Sequence, residues 1–192
     1  MHFDLLFAHL ERYVALTSAE KEMVRSRFTY QKVRKHQYLL QQNEICRADY
    51  FIVEGILRQY EVDSDGRENN VQFAMPNWWI TDWYSMQSGI PSIYNIDALE
   101  NAAVLKIEQQ DLERLFVEVP AFNVYFRIIL QRAYSYLQRR VLYMQKPADV
   151  RYREFRDKYA RFEQQLSQQH IASYLGITRE SLSRIRNDKR KA

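Results

Sequence analysis

Between Ala121 and Gln145 the chain holds neither proline nor glycine, and its apolar residues recur at helical spacing. Phe122, Phe126, Ile129, Ala133, Tyr136, Arg140 and Tyr143 follow steps of four and three residues. Leu130, Tyr134, Leu137, Val141 and Met144 repeat the rhythm beside them. A helix with one apolar stripe needs one surface to bury it; a helix with two needs two. One stripe can face the rest of its own chain and the other a twin helix. The simpler alternative is a core helix covered on both sides within one chain. Arg140 sits at a seam position, where it either snorkels or pairs across. Pro120 suits the first position of this helix, and Lys146-Pro147 ends it, because the residue before a proline is pushed out of the α region.

After Pro147 the pattern is helical and basic. Tyr152, Phe155, Tyr159 and Phe162 form one stripe of a support helix over 150–162, with Asp149 as its expected cap. The stretch S-Q-Q-H-I-A-S-Y-L-G-I-T-R-E-S-L-S-R-I-R, Ser167 to Arg186, then reads as two short helices and a tight turn. Ser167 and Thr178 can each cap a helix, and Gly176 stands where a helix end needs positive φ. Ile171, Leu175, Leu182 and Ile185 give each helix a buried stripe, and Ala172 is small where the two would cross. This is a helix-turn-helix pattern, whose second helix enters the DNA major groove. Arg179, Glu180, Ser181, Ser183, Arg184 and Arg186 are left on its open side. Arginine can grip guanine with two hydrogen bonds, glutamate can accept from cytosine, and hydroxyls suit phosphates or base edges.

Charge follows the same division. Residues 146–192 hold 12 Lys/Arg against 6 Asp/Glu, whereas residues 1–145 hold 16 against 18. The basic excess therefore travels with the motif, as phosphate neutralisation requires.

Before the long helix, Phe3, Leu6, Phe7, Leu10 and Val14 mark an amphipathic helix over 3–15, which places His2 and His9 on the surface. Thr17-Ser18-Ala19-Glu20 matches a capping box for a second helix ending near Phe28. From Tyr30 to Ile107 the apolar residues become β-branched and aromatic runs, broken by Gln42-Asn43, Glu54-Gly55 and Asp63-Ser64-Asp65-Gly66. Many short strands with regular turns imply an antiparallel barrel or roll. Asp111 to Val119 reads as a short helix. The single cysteine, Cys46, cannot form an internal disulfide or supply a thiolate cluster, and reads as a buried small side chain. No metal-ligand spacing occurs. No apolar run approaches the ~20 residues of a membrane span. Met1-His2-Phe3-Asp4 opens no basic leader followed by an apolar stretch, so no signal peptide is expected, and a cytoplasmic location follows most simply.

Put together, the expected fold is α+β: residues 1–110 an N-terminal antiparallel β-roll with two leading helices, 111–145 a short helix plus a long dimerisation helix, and 146–192 a helix-turn-helix domain. The arrangement resembles the CRP/FNR family of bacterial transcription regulators over nearly the whole chain. I-A-S-Y-L-G-I-T-R-E-S-L-S-R-I carries the resemblance best, with a wording similar to the short branch common in Bacteroidetes. By that match, Arg179, Glu180 and Arg184 are the base-reading residues. Ser167, Gln169, Thr178, Ser181, Ser183, Arg186 and Lys189 are candidates for phosphate or base-edge contacts. The resemblance implies a homodimer, with Phe122, Phe126, Ile129, Ala133 and Tyr136 on its dimer helix. It also implies double-stranded DNA and RNA polymerase as partners. The chain stops soon after Arg186, so the wing is minimal.

Two departures stand out in the β-roll. Gly55 and Gly66 match family turn glycines, but His36, Asn43 and Asn77 replace others. Asparagine tolerates positive φ best among non-glycine residues, so His36 is the less comfortable substitute. Cyclic-nucleotide-binding members carry a Gly-Glu pair for the ribose and an Arg-Ser or Arg-Thr pair for the phosphate. Here the stretch M-P-N-W-W-I-T-D-W-Y-S-M-Q-S-G-I-P-S-I-Y-N-I-D-A has neither. A buried phosphate without a cation is badly stabilised, which argues against cyclic AMP or GMP. Trp78, Trp79, Trp83, Tyr84 and Tyr94 instead line a pocket for an apolar effector or fill it, and filling is the favoured reading. No cofactor is implied. No Ser/His/Asp or Cys/His arrangement and no phosphate loop suggests an enzyme. The alternative function is a β-roll sensor or protein-interaction module whose basic C-terminal domain does not read DNA specifically.

Overall fold

The computed structural model describes residues 2–188. Two helices lead, α1 (His2–Leu10) and α2 (Ser18–Arg27). The capping box forms: the Glu20 amide donates to Thr17 Oγ1 at 3.2 Å, and the Thr17 amide to the Glu20 carboxylate at 2.8 Å. Eight strands follow: β1 (Thr29–Val33), β2 (Tyr38–Leu40), β3 (Ala48–Glu54), β4 (Leu57–Val62), β5 (Glu68–Ala74), β6 (Trp79–Ile80), β7 (Tyr94–Ala98) and β8 (Ala102–Glu108). They form two antiparallel four-stranded sheets, ordered β1-β8-β3-β6 and β2-β7-β4-β5. The remaining helices are α3 (Trp83–Ser88), α4 (Gln109–Glu118), α5 (Pro120–Met144), α6 (Ala148–Tyr159), α7 (Gln168–Leu175) and α8 (Arg179–Asp188).

The turns resolve the glycine question. His36, Asn43 and Asn77 all adopt positive φ, at 65°, 73° and 73°. His36 is held there by its own amide, which donates to the Ala98 carbonyl at 2.7 Å. Gly55 has φ +83°, and a Cβ there would lie 2.7 Å from that of Ala102, so both backbone and space demand glycine. Three expectations need correction. α1 ends at Leu10, short of the helix expected to residue 15. Asp149 makes no cap bond: Pro147 is the cap residue of α6, and Asp149 lies within its first turn. His9 is buried, because α5 crosses α1 there: its Nδ1 lies 2.8 Å from the Tyr125 hydroxyl. His2 does stay exposed, stacked on Tyr30 at 3.8 Å.

Two apolar clusters divide the molecule. The first joins α1, α2, both sheets, α4 and the start of α5, with Leu6, Phe51, Ile52, Leu57, Ile96, Leu105, Phe122 and Tyr125 at its centre. Cys46 is buried there. The second unites one face of the β4–β5 hairpin with the C-terminal helices: Ile56, Phe73 and Met75 pack with Tyr152, Phe155, Tyr159, Ile171, Tyr174, Leu175 and Leu182. The C-terminal helices are docked on the roll.

The long helix α5 serves both clusters. Phe122 and Phe126 are buried in the first, and Ile129 packs against it. Tyr136, Arg140 and Tyr143 turn to the C-terminal helices. The Tyr136 and Tyr174 hydroxyls are 2.7 Å apart, and Arg140 donates to the Tyr174 carbonyl at 2.9 Å. Of the expected dimer set, Phe122 and Phe126 are buried inside the chain and Ile129 is half-buried, whereas Ala133 and Tyr136 stay exposed. Arg140 likewise lies on the Tyr174 ring, 3.8 Å from its centroid. The second stripe is the open one: Leu130, Tyr134, Leu137, Val141 and Met144 are all exposed.

Candidate nucleic-acid interface

Local chemistry builds the helix-turn-helix. Ser167 caps α7 by accepting from the His170 amide at 3.1 Å, and Thr178 Oγ1 accepts from the Ser181 amide at 3.2 Å at the start of α8. Gly176 between them has φ +63°. A Cβ on Gly176 would also stand 2.9 Å from Met144 Cε, so the turn is packed against the end of α5. Ile171, Ala172, Leu175 and Leu182 are buried, with Ile177 and Ile185 packed on them.

The same packing fixes what α8 presents. Leu182 points inward, and Arg179, Glu180 and Arg184 are exposed. The Glu180 carboxyl is held below its usual range by its own amide, by the Thr178 hydroxyl, and by Arg179 and Arg184. It is therefore an anion at neutral pH, suited to accept from a cytosine amino group. Ser181 and Thr178 hydroxyls lie 3.1 Å apart and are engaged in the cap. Ser183 and Arg186 are half-buried, and Ser167 and Gln169 are exposed at the start of α7. Lys189 lies outside the described residues, as does the segment on which the minimal-wing expectation rests.

Docking uses the other faces. Ser173 on α7 donates to the Glu68 carbonyl at 2.6 Å and accepts from the Asn70 amide at 2.8 Å, both on β5. Beside it, buried Arg58 grips Asp97 with Nε–Oδ1 at 2.8 Å and Nη2–Oδ2 at 3.1 Å, and also pairs with Glu68. His170 faces this network, and burial first, then Arg58, lowers its proton affinity. Sequence reasoning missed Arg58, Ser173, Lys158 and Tyr174 as docking residues.

The aromatic residues expected at an effector pocket do not share one. Trp78 lies between the clusters, 5.9 Å from the Tyr159 ring. Trp79 packs on Phe51 and Phe126 and donates to the Tyr125 hydroxyl at 2.7 Å. Trp83 meets Phe126 at 6.3 Å, Tyr84 is exposed, and Tyr94 is half-buried. The stretch that the resemblance sets against the family's phosphate cassette holds a buried carboxyl group. Buried Asp82 accepts from the Tyr84 and Ser85 amides at 3.0 and 3.2 Å and from the Ser92 hydroxyl at 2.7 Å. These two amides and the hydroxyl are therefore already engaged by the Asp82 side chain. Among the described residues, no group of His, Cys, Asp and Glu is placed to hold a metal, and no helix is long and apolar enough to cross a membrane.

Comparison with known proteins agrees with this layout. Residues 30–118 match the family model of the cyclic nucleotide-binding domain, and residues 131–192 that of the Crp-like helix-turn-helix domain. The transcriptional activatory protein AadR of Rhodopseudomonas palustris is 27% identical over 158 residues, 76% of this chain and 64% of that protein. The match thus spans less than two thirds of that relative's length. Among solved structures, FixK2 from Bradyrhizobium japonicum superposes with a TM-score of 0.71 at 22% identity, covering 85% of each chain. The c-di-GMP responsive global regulator CLP of Xanthomonas campestris reaches 0.74 at 11% identity, covering 91% of this chain and 92% of that one. At such identities the likeness is one of fold.

Proposed function

Since the chain belongs to the CRP/FNR family of transcription regulators, we propose that it works as a homodimer reading an inverted-repeat DNA site in the cytoplasm. The observation that carries the proposal is the outward set Arg179, Glu180 and Arg184 on a helix whose inner face is fully used. Two such helices related by a two-fold axis enter successive major grooves, with half-sites about one helical turn apart. Arg179, Glu180 and Arg184 read bases. Ser167, Gln169 and Arg186 hold phosphates, with Thr178, Ser181 and Ser183 close to the backbone or base edges.

The twofold partner is a second α5. The exposed stripe Leu130, Tyr134, Leu137, Val141 and Met144 supports this, because an apolar row of that length is costly in water and has the spacing of a two-helix seam. RNA polymerase is the further partner for a regulator of this kind. Cyclic AMP is not its effector: the Tyr84 and Ser85 amides and the Ser92 hydroxyl are already engaged by Asp82, and Arg58 is committed to Asp97 and Glu68.

Selection from random duplex DNA with the purified full chain tests the proposal. The expected outcome is a symmetric site. Binding without sequence preference across a salt series would instead support a β-roll interaction module with a basic but non-reading C-terminal domain.

A further inference from the structure

Lys158 occupies an unusual place. Its ammonium nitrogen lies 3.6 Å from the ring centroid of Tyr136, 4.9 Å from that of Tyr159 and 5.0 Å from that of Trp78. The three rings belong to three parts of the molecule: Trp78 to the roll, Tyr136 to the long helix, Tyr159 to the support helix of the DNA-binding part. Lys158 is an exposed residue whose ammonium rests on these rings, and no carboxylate among the described residues pairs with it. A second cation works beside it. Arg140 of α5 lies on Tyr174 of α7, whose hydroxyl meets those of Tyr136 at 2.7 Å and Tyr159 at 3.4 Å.

The seam these residues close is not a uniform core. Asn70, a buried β5 residue whose amide meets α7, has both side-chain polar atoms without a partner. His170 is half-buried and feels the charge of Arg58. Such groups oppose docking, so a few cation–ring contacts can decide whether the seam holds. Docking consumes α6 and α7 and leaves the reading face of α8 open. The docked arrangement is therefore the one that presents the reader.

We propose that Lys158, resting on Trp78, Tyr136 and Tyr159 at the surface of the seam, is a latch that holds the recognition helix in its presenting position in place of a bound effector. The proposal rests on the DNA-reading function above. By linkage, DNA that binds the docked form must also strengthen the seam, and whatever loosens the latch must weaken binding as the competent fraction falls.

Amide hydrogen exchange of the full-length protein tests it. The Asn70 amide donates across the seam to Ser173, so its protection reports opening of the seam directly. Lys158→Met keeps an apolar stem but removes the cation, and should lower Asn70 protection about 2- to 5-fold, the range expected for such contacts at an exposed site. Lys158→Arg should restore it, and Trp78→Leu should reproduce the loss from the roll side. Amides of β3 and β8 should not change. Binding of the selected duplex to the wild-type protein should raise Asn70 protection. Unchanged protection in Lys158→Met, or protection lowered by DNA, would overturn the latch. If no duplex is preferred while the variants behave as expected, the DNA-reading function fails and the latch stands as an interdomain clamp.

Discussion

The hydroxyl of Ser173 donates to the main-chain carbonyl of Glu68 at 2.6 Å, joining residues that stand 105 positions apart. The same oxygen accepts from the Asn70 amide. One small side chain thus closes a pair of β5 backbone groups that would otherwise face α7 unpaired.

Ser173→Ala removes both bonds and leaves a half-buried N–H and C=O unsatisfied. The expected cost is about 1–3 kcal/mol. Urea unfolding should show a lower midpoint with an unchanged slope. An unaltered midpoint would mean that the seam relaxes or takes in water without penalty.

Arg184→Ala and Arg179→Ala should each weaken binding to the selected site by roughly 1–3 kcal/mol and relax preference at one base pair per half-site. Titration against single-base variants of the site separates this from a phosphate contact, which would weaken all sequences alike. The Gln169 contact, placed at the start of α7, should follow the second pattern.

The two stripes of α5 make opposite forecasts. Leu137 is 56% exposed and Val141 64% exposed, whereas Phe126 is 3% exposed. Leu137→Glu or Val141→Glu should give a folded monomer in sedimentation, with helical signal intact and DNA affinity lost. Phe126→Glu should unfold the chain, because a lone charge in that core has no partner. A dimer that survives both exposed-stripe changes would place the seam elsewhere.

Two buried groups give opposing pH dependences. Burial raises the Asp49 carboxyl from 3.8 to about 7. The folded state then holds a proton the unfolded state releases, so this stability is present at low pH and lost as pH rises through about 7. Burial, with Arg12 and Arg132, lowers His9 from 6.5 to about 4, so its stability is present above 6.5 and lost as pH falls through about 4. Between those limits the slopes oppose each other. Asp49→Asn keeps the acceptor for the Tyr50 amide, removes the falling arm, and should stabilise increasingly as pH rises, by on the order of 4 kcal/mol at most. Urea midpoints of the variant and the wild type that stay parallel from about pH 5 to about pH 8 would refute this.

Much of the molecule was legible because it rests on local rules. Thr17 and Glu20, Ser167, Thr178 and Gly176 are read from the needs of helix ends, and those needs hold wherever the helix is packed. The positive φ at Asn43 and Asn77 could be foreseen from the residue type. The reading residues of α8 followed from subtracting its apolar stripe. Periodicity could say that α5 has two faces to bury, but not which face meets which surface. That assignment depends on residues remote in the chain: Phe28 and Trp79 claim Phe122 and Phe126, and Tyr174 claims Tyr136 and Arg140. His9 was misplaced for the same reason, since only the crossing of α5 buries it.

By itself, then, the sequence determined the helix-turn-helix, the roll and the twin-striped helix between them, because caps, turn residues and apolar spacing act within a few residues. Only the tertiary structure decided that the reader is docked on the β4–β5 hairpin, that Lys158 sits among three rings, and that Leu130 to Met144 form the open stripe. Those outcomes come from long-range competition among surfaces for burial, which no local pattern records.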